Sequence, residues 1–206
     1  MLVDRLLELG CEIIQVNTDG VVYRAKNGLK QAISSAIKEV EEITRLEFES
    51  DEYEAFYQYA INDYFGVLKG GKIEEKGMFI TKTKLGKGLQ PVVIPKAVIA
   101  YFTQSIQVRE TIENDRDIRD FLMSQAVDKK FTVKHGSTPI QRINRFYAST
   151  NGKYLYKIDP ESNRDATNML TKSGVTILNK FDERPIEDRK VNYRYYISEA
   201  KKIIAD

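Results

Sequence analysis

The residues best placed to do chemistry lie in Ile13-Ile14-Gln15-Val16-Asn17-Thr18-Asp19-Gly20-Val21-Val22-Tyr23. Two apolar, β-branched runs flank a polar tip. Asp-Gly between such runs predicts a tight hairpin, with Gly20 taking the positive φ the turn needs. Asp19 then stands at the tip of two strands, where a carboxylate is well placed to grip a metal ion. The same composition also serves ordinary turns, in which Asn and Asp are favoured without any ligand.

A second candidate is a patch of positive charge. The chain of 206 residues carries a net charge of +2, which conceals an uneven distribution. Residues 1–85 hold 11 Lys+Arg against 15 Asp+Glu, a net −4, whereas residues 86–206 hold 21 against 15, a net +6. Within the second part, residues 129–172 hold nine basic and three acidic residues, again +6. A focused basic surface suits a polyanion such as nucleic acid. A solvated lysine face is the plainer reading of the same residues.

Other chemistries are narrowed by composition. One cysteine, Cys11, allows no internal disulfide, as expected of a reducing cytosol, and with one histidine, His135, it excludes a zinc site of the usual kind. His135, beside Gly136, is expected in a solvated loop without function. No run approaches the roughly 18 apolar residues of a membrane span, and the start lacks a basic secretory n-region. A hydrophobic content of 42% is enough for a packed core, and 30% charged residues of mixed sign predict a soluble protein.

The elements that must position these residues follow in chain order. Residues 3–9 read as the end of an amphipathic helix stopped by Gly10. The hairpin covers about 11–25. Asn27 is expected to cap a helix over 28–45, whose apolar stripe runs Leu29, Ala32, Ile33, Ala36, Ile37, Val40 and Ile43. Leu46–Glu49 alternates like a short strand. Glu54–Ile61 is a further strand, and 62–68 with 73–80 form a hairpin turning at Gly70-Gly71. The glycine- and lysine-rich stretch 81–88 marks a junction, placed at 85/86.

Beyond the junction the texture is helical. Pro95 suits a helix first turn, Val108–Asn114 is a short helix or turn, and Asp115 can cap a helix through Phe121. Thr132–His135 and Ile140–Ala148 look extended, with Lys153–Ile158 folding back on the latter across Asn151-Gly152. A closing helix spans 191–204, with Tyr195, Tyr196, Ala200 and Ile203 on one side. The expected class is α+β: an antiparallel sheet with a packed helix over 1–85, then a mainly helical part with a small hairpin over 86–206.

Taken together, the order of these features resembles the C-terminal part of a phage-type family B DNA polymerase, across nearly the whole chain. Gln15-Val16-Asn17-Thr18-Asp19-Gly20 is similar to the family's Tyr-Gly-Asp-Thr-Asp-Ser motif. Asp19 falls on the second Asp of that motif, the main metal ligand, and Asn17 stands where the first Asp is usual. Asn62-Asp63-Tyr64 and Gly71-Lys72-Ile73-Glu74-Glu75-Lys76-Gly77 resemble the strands that track the primer-template minor groove. Tyr64, Lys76 and Gly77 match, Lys72 is a further candidate, and Glu74 replaces a common lysine. Gln141-Arg142-Ile143-Asn144-Arg145-Phe146-Tyr147 and Asn192-Tyr193-Arg194-Tyr195-Tyr196-Ile197 resemble thumb segments.

The resemblance implies that residues 1–85 are the second half of the palm and 86–206 the duplex-gripping thumb. It implies a catalytic turn of Asn17, Thr18 and Asp19, with Asp19 on magnesium in a two-ion site. Tyr64, Lys72, Lys76, Gly77, Lys130, Lys134, Arg142 and Arg145 become DNA contacts, and the partners are primer-template DNA and a deoxynucleoside triphosphate, with no membrane. The family's other metal-binding aspartate, its fingers helix and its exonuclease all lie upstream. A second polypeptide is therefore expected to carry them, in the cytoplasm of a bacterial host if the chain is phage-encoded. A non-catalytic, DNA-binding remnant of a polymerase is the second reading, and a basic α+β interaction protein the third.

Overall fold

The computed structural model describes residues 1–82, 90–161, 167–168 and 173–205. The chain is α+β, and it divides into two compact units, Met1–Glu74 and Glu75–Asp206. The junction expected at 85/86 lies outside the described residues.

In the first unit, helix α1 (Leu2–Glu8) leads into strands β1 (Glu12–Val16) and β2 (Val21–Arg24), which pair antiparallel with Val16 opposite Val21. Helix α2 (Lys30–Thr44) follows. Leu6, Cys11 and Ile33 are buried together, and Leu2, Leu9, Ile13, Val21, Tyr23, Leu29 and Ile37 pack against them. Leu29, Ile33 and Ile37 of the apolar stripe thus cover the hairpin and α1, at the 3.6-residue period of a helix, whereas Ala32 and Ile43, expected on the same stripe, are exposed. Asn27 does not cap this helix. Residues 26–29 form a turn closed by Leu29 N–H on the Lys26 carbonyl, so the helix starts later, at Lys30 after Leu29.

Leu46–Glu49 is not a strand. The Glu41 carboxylate accepts the Phe48 N–H at 2.8 Å and the Thr44 hydroxyl accepts the Leu46 N–H at 3.3 Å, so side chains take the donors a neighbouring strand would need. Strands β3 (Tyr53–Ala60), β4 (Asp63–Leu68) and β5 (Ile73–Lys76) then form a sheet in that order. The β4–β5 turn falls at Gly70-Gly71, both with positive φ, as the glycine pair predicts. Residues 77–79 form a 3-10 turn rather than more strand.

The second unit has helices α3 (Val93–Gln104), α4 (Val108–Asn114) and α5 (Tyr193–Ala205) packed on one another. Pro95 lies in the first turn of α3, where a missing N–H costs nothing. Asp115 caps no helix. The segment 118–121 is a 3-10 turn capped by Asp117, and Asp115 accepts from the Asp117 N–H.

Among the described residues this unit also holds two sheets, more strand than one hairpin. Strands β6 (Met123–Ala126), β9 (Ile143–Lys153) and β12 (Val175–Ile177) assemble as β12-β9-β6. Strands β7 (Thr132–His135), β8 (Thr138–Ile140), β10 (Leu155–Ile158) and β11 (Thr167–Asn168) assemble as β11-β10-β7-β8.

Asn151-Gly152 is therefore not a hairpin turn. Strand β9 runs through it, and β10 pairs with β7, Leu155 opposite His135. The glycine serves close approach instead: a Cβ on Gly152 would come within 2.5 Å of the Val175 nitrogen, and one on Gly174 would strike the Gly152 carbonyl. Gly152→Ala is expected to destabilise the protein by about 2–3 kcal/mol, an overpacking cost read as a lower urea midpoint at unchanged slope. An unchanged midpoint would contradict this packing. His135 is likewise not a loop residue. It ends β7, half-buried, with Nε2 donating to the Val175 carbonyl at 2.8 Å and joining the two sheets.

Candidate metal turn and nucleic-acid surface

The β1–β2 connection is the four-residue stretch Asn17–Gly20. Asn17 N–H donates to the Gly20 carbonyl at 3.0 Å, and the Asn17 side-chain oxygen accepts the Asp19 N–H at 3.0 Å. That Asx bond closes the loop by itself, so no left-handed residue is needed, and Gly20 does not take the expected positive φ. Thr18 and Asp19 are exposed, and Asn17 is half-buried. The Asp19 carboxylate makes no hydrogen bond or ion pair with any described residue.

The base of the hairpin is anchored by Gln15. This side chain is buried, and its amide nitrogen donates to the Ile61 carbonyl at 2.9 Å in the β3–β4 turn. Gln15 was legible only as a polar residue at an inward position of the strand alternation, between Ile13 and Asn17. The outward face of β1 is apolar: Ile14 is 42% and Val16 50% exposed. Among the described residues the β1–β2 ribbon pairs with no third strand, which leaves both its edges open.

Magnesium takes oxygen ligands in octahedral geometry, through one or two carboxylates with waters and substrate phosphates. The tip supplies the Asp19 carboxylate and the Asn17 amide oxygen, which already accepts one bond. Among the described residues no three His, Cys, Asp or Glu side chains gather into a metal site. The donors present are thus of the right kind for magnesium and fewer than a complete site requires.

Tyr64 sits on β4 opposite Gln58, with its ring 5.0 Å from that of Phe56. Burial, then the Glu74 carboxylate, pushes its phenol above the ordinary value. Lys72 is exposed beside the glycine turn, where its carbonyl accepts the Leu68 N–H. Lys76 ends β5 and is exposed, and Gly77 begins the 3-10 turn with φ +61.

The basic residues between positions 129 and 157 have a shared property. Lys129, Lys130, Lys134, Arg142, Arg145, Lys153 and Lys157 form no ion pair with a described residue. Elsewhere the picture is mixed: Arg5, Lys30, Arg109, Arg116, Arg184 and Lys202 are paired, whereas Lys26, Lys38, Arg45, Lys180 and Arg194 form no ion pair with a described residue. Lys130 and Lys157 lie over the Phe131 ring, with Nζ 4.9 and 4.5 Å from its centroid. Arg142 sits beside the 127–131 turn, its carbonyl accepting the Val127 N–H at 3.0 Å. Arg145 projects from β9 opposite Ser124, in the other sheet from Lys134, and its Nε is buried without a partner among the described residues. The structure therefore groups Lys130 and Arg142 around one turn, and leaves Lys134 and Arg145 on separate sheets.

No protein-family model, curated protein or solved structure matches the chain. Among the described residues no helix is long and apolar enough to cross a membrane.

Proposed function

We propose that the chain is the C-terminal part of a family B DNA polymerase, supplying one metal-binding carboxylate and the surface that grips the product duplex. The observation that carries this reading is Asp19, an unengaged carboxylate fixed at the tip of an anchored hairpin. Asn17 holds the turn through its Asx bond, and Gln15 fixes the base of the hairpin, so the carboxylate is presented without rearrangement. Magnesium bound there would stabilise the attacking and leaving oxygens as a primer 3′-hydroxyl displaces pyrophosphate from a deoxynucleoside triphosphate.

A single carboxylate does not complete such a site, so the remaining ligands come from outside these 206 residues, from a partner part that carries the upstream palm, fingers and exonuclease. The apolar outward face of β1 and the open edges of its ribbon suit an added strand or sheet from that partner. A phage-encoded pair of this kind works in the cytoplasm of its bacterial host. Primer extension tests the proposal. The purified chain alone is expected to be silent, and mixing with a larger polypeptide that co-purifies with it is expected to give magnesium-dependent synthesis. Robust synthesis by the chain alone would refute the division of labour.

The unpaired cations support duplex binding through phosphates, which positions DNA without reading sequence. Affinity for a primer-template is expected to fall steeply with salt. Replacing Arg142 and Arg145 by Ala is expected to flatten the slope of log affinity against log salt by about one for each phosphate no longer neutralised. A slope unchanged by both substitutions would remove these two residues from the interface. The second reading, a DNA-binding remnant without catalysis, is favoured by Asn17 at the position of a usual aspartate. It predicts the same salt slope with no synthesis in any complex.

A further inference from the structure

The β11-β10-β7-β8 sheet has one inward and one outward face. Val133 and Leu155 are buried on the inward side, and His135, opposite Leu155, bonds inward to Val175. Strand alternation then puts Lys134 and Tyr156 on the outward side, where they are direct cross-strand partners. Pro139 on β8 is the partner of Lys134 across its other edge. Tyr154 is 44% exposed, and its ring centroid lies 6.3 Å from that of Tyr156. Neither phenol hydroxyl has a hydrogen-bond partner among the described residues.

We infer that this outward face is a stacking platform for single-stranded nucleic acid. Two neighbouring aromatic rings offer bases a flat apolar surface, and Lys134 beside Tyr156 offers a charge to the linking phosphate. The surroundings match a polyanion. From residue 129 to 161 the chain has seven basic and two acidic residues, Asp159 and Glu161, and none of the seven cations is neutralised by a described carboxylate. A duplex buries its base faces in its own stack and cannot use the rings, so the platform selects unpaired strands. This inference stands apart from the polymerase reading, since it uses neither Asp19 nor a partner chain.

Fluorescence anisotropy of the full chain tests it, with labelled oligothymidylate and oligouridylate of about 12 nucleotides and a blunt duplex of equal length. The wild-type chain is expected to bind a single strand. The double substitution Tyr154→Ala/Tyr156→Ala is expected to weaken that binding roughly tenfold or more while leaving duplex affinity unchanged. Tyr154→Phe/Tyr156→Phe keeps the rings and is expected to bind like wild type. Lys134→Glu keeps both rings and is expected to weaken single-strand binding, so it provides a second test if circular dichroism shows the alanine pair unfolded. The inference is overturned if the wild-type chain binds neither oligonucleotide, or if the folded alanine pair binds them as tightly as wild type. It is also overturned if the alanine pair loses duplex and single-strand affinity equally, or if Lys134→Glu has no effect. Single-strand binding without synthesis in any complex would sink the polymerase reading and leave this one standing.

Discussion

Asp19→Ala is expected to reduce nucleotide incorporation by the reconstituted complex by about a thousandfold or more, with DNA affinity unchanged. The magnitude follows from losing an ionised metal ligand, a stabilisation of several kcal/mol in the transition state, at 1.36 kcal/mol for each tenfold in rate. The separation of effects follows from the geometry. The carboxylate is exposed and bonds to no described residue, so its removal leaves no buried group unpaired. The Asx bond that shapes the loop comes from Asn17 to the Asp19 backbone, which alanine retains. Stability is therefore expected to change by less than about 0.5 kcal/mol, as for surface substitutions in general. Steady-state incorporation measured beside a binding titration checks both halves. Synthesis that survives Asp19→Ala would remove the catalytic role from the hairpin.

The largest expected effect on stability is at Tyr196. This side chain is fully buried on α5, and its hydroxyl donates to the Phe121 carbonyl at 2.9 Å and accepts the Ala148 N–H at 2.8 Å. Its ring lies edge-on to Phe121, 5.1 Å between centroids. One phenol thus ties the closing helix to the β6–β9 sheet and to the 118–121 turn. Burial pushes its pKa well above the ordinary value, so it stays a neutral donor across the usual pH range. Tyr196→Phe keeps the packing and leaves a buried N–H and a buried carbonyl unpaired, an expected cost of roughly 2–4 kcal/mol. Tyr195→Phe is the control. Among the described residues its hydroxyl meets only the Met123 sulfur, at 3.9 Å, so the expected cost is below about 0.5 kcal/mol. Urea unfolding of both variants decides the matter; equal midpoints would contradict the assigned bonds.

Local signals were legible wherever one segment satisfied itself. The apolar stripes of α2 and α5, the stop at Gly10 and the Gly70-Gly71 turn are all written in short windows, and the structure follows them. Some misread segments are decided by distant partners, and others, such as Leu46–Glu49, the Asn27 cap and the φ of Gly20, by side-chain and turn bonds close by. Asn151-Gly152 has the composition of a tight turn, yet the approach of Gly174 and Val175 keeps it within a strand. Alternation at Leu46–Glu49 looks like strand, yet Glu41 and Thr44 take its backbone donors. Strands β6 and β12 are short and, among the described residues, pair only with β9, some way off in sequence, so no window reveals them.

The same contrast divides the candidate sites. Asp19 at a bend between two apolar runs is visible in the sequence. Its anchor, Gln15, is not, because the acceptor is the carbonyl of Ile61, 46 residues further along. Lys134, Tyr156 and Tyr154 become one surface only through the β7–β10 register.

Asp19 is expected to share its metal with acidic groups outside these 206 residues. Electron paramagnetic resonance of Mn²⁺, titrated into the chain, its complex with the co-purifying polypeptide, and the same complex carrying Asp19→Ala, tests this without depending on turnover. Shared coordination predicts weak, undifferentiated binding by the chain alone, tight binding by the complex, and loss of that binding in the variant. Tight binding by the isolated chain, or by the complex lacking Asp19, would contradict it.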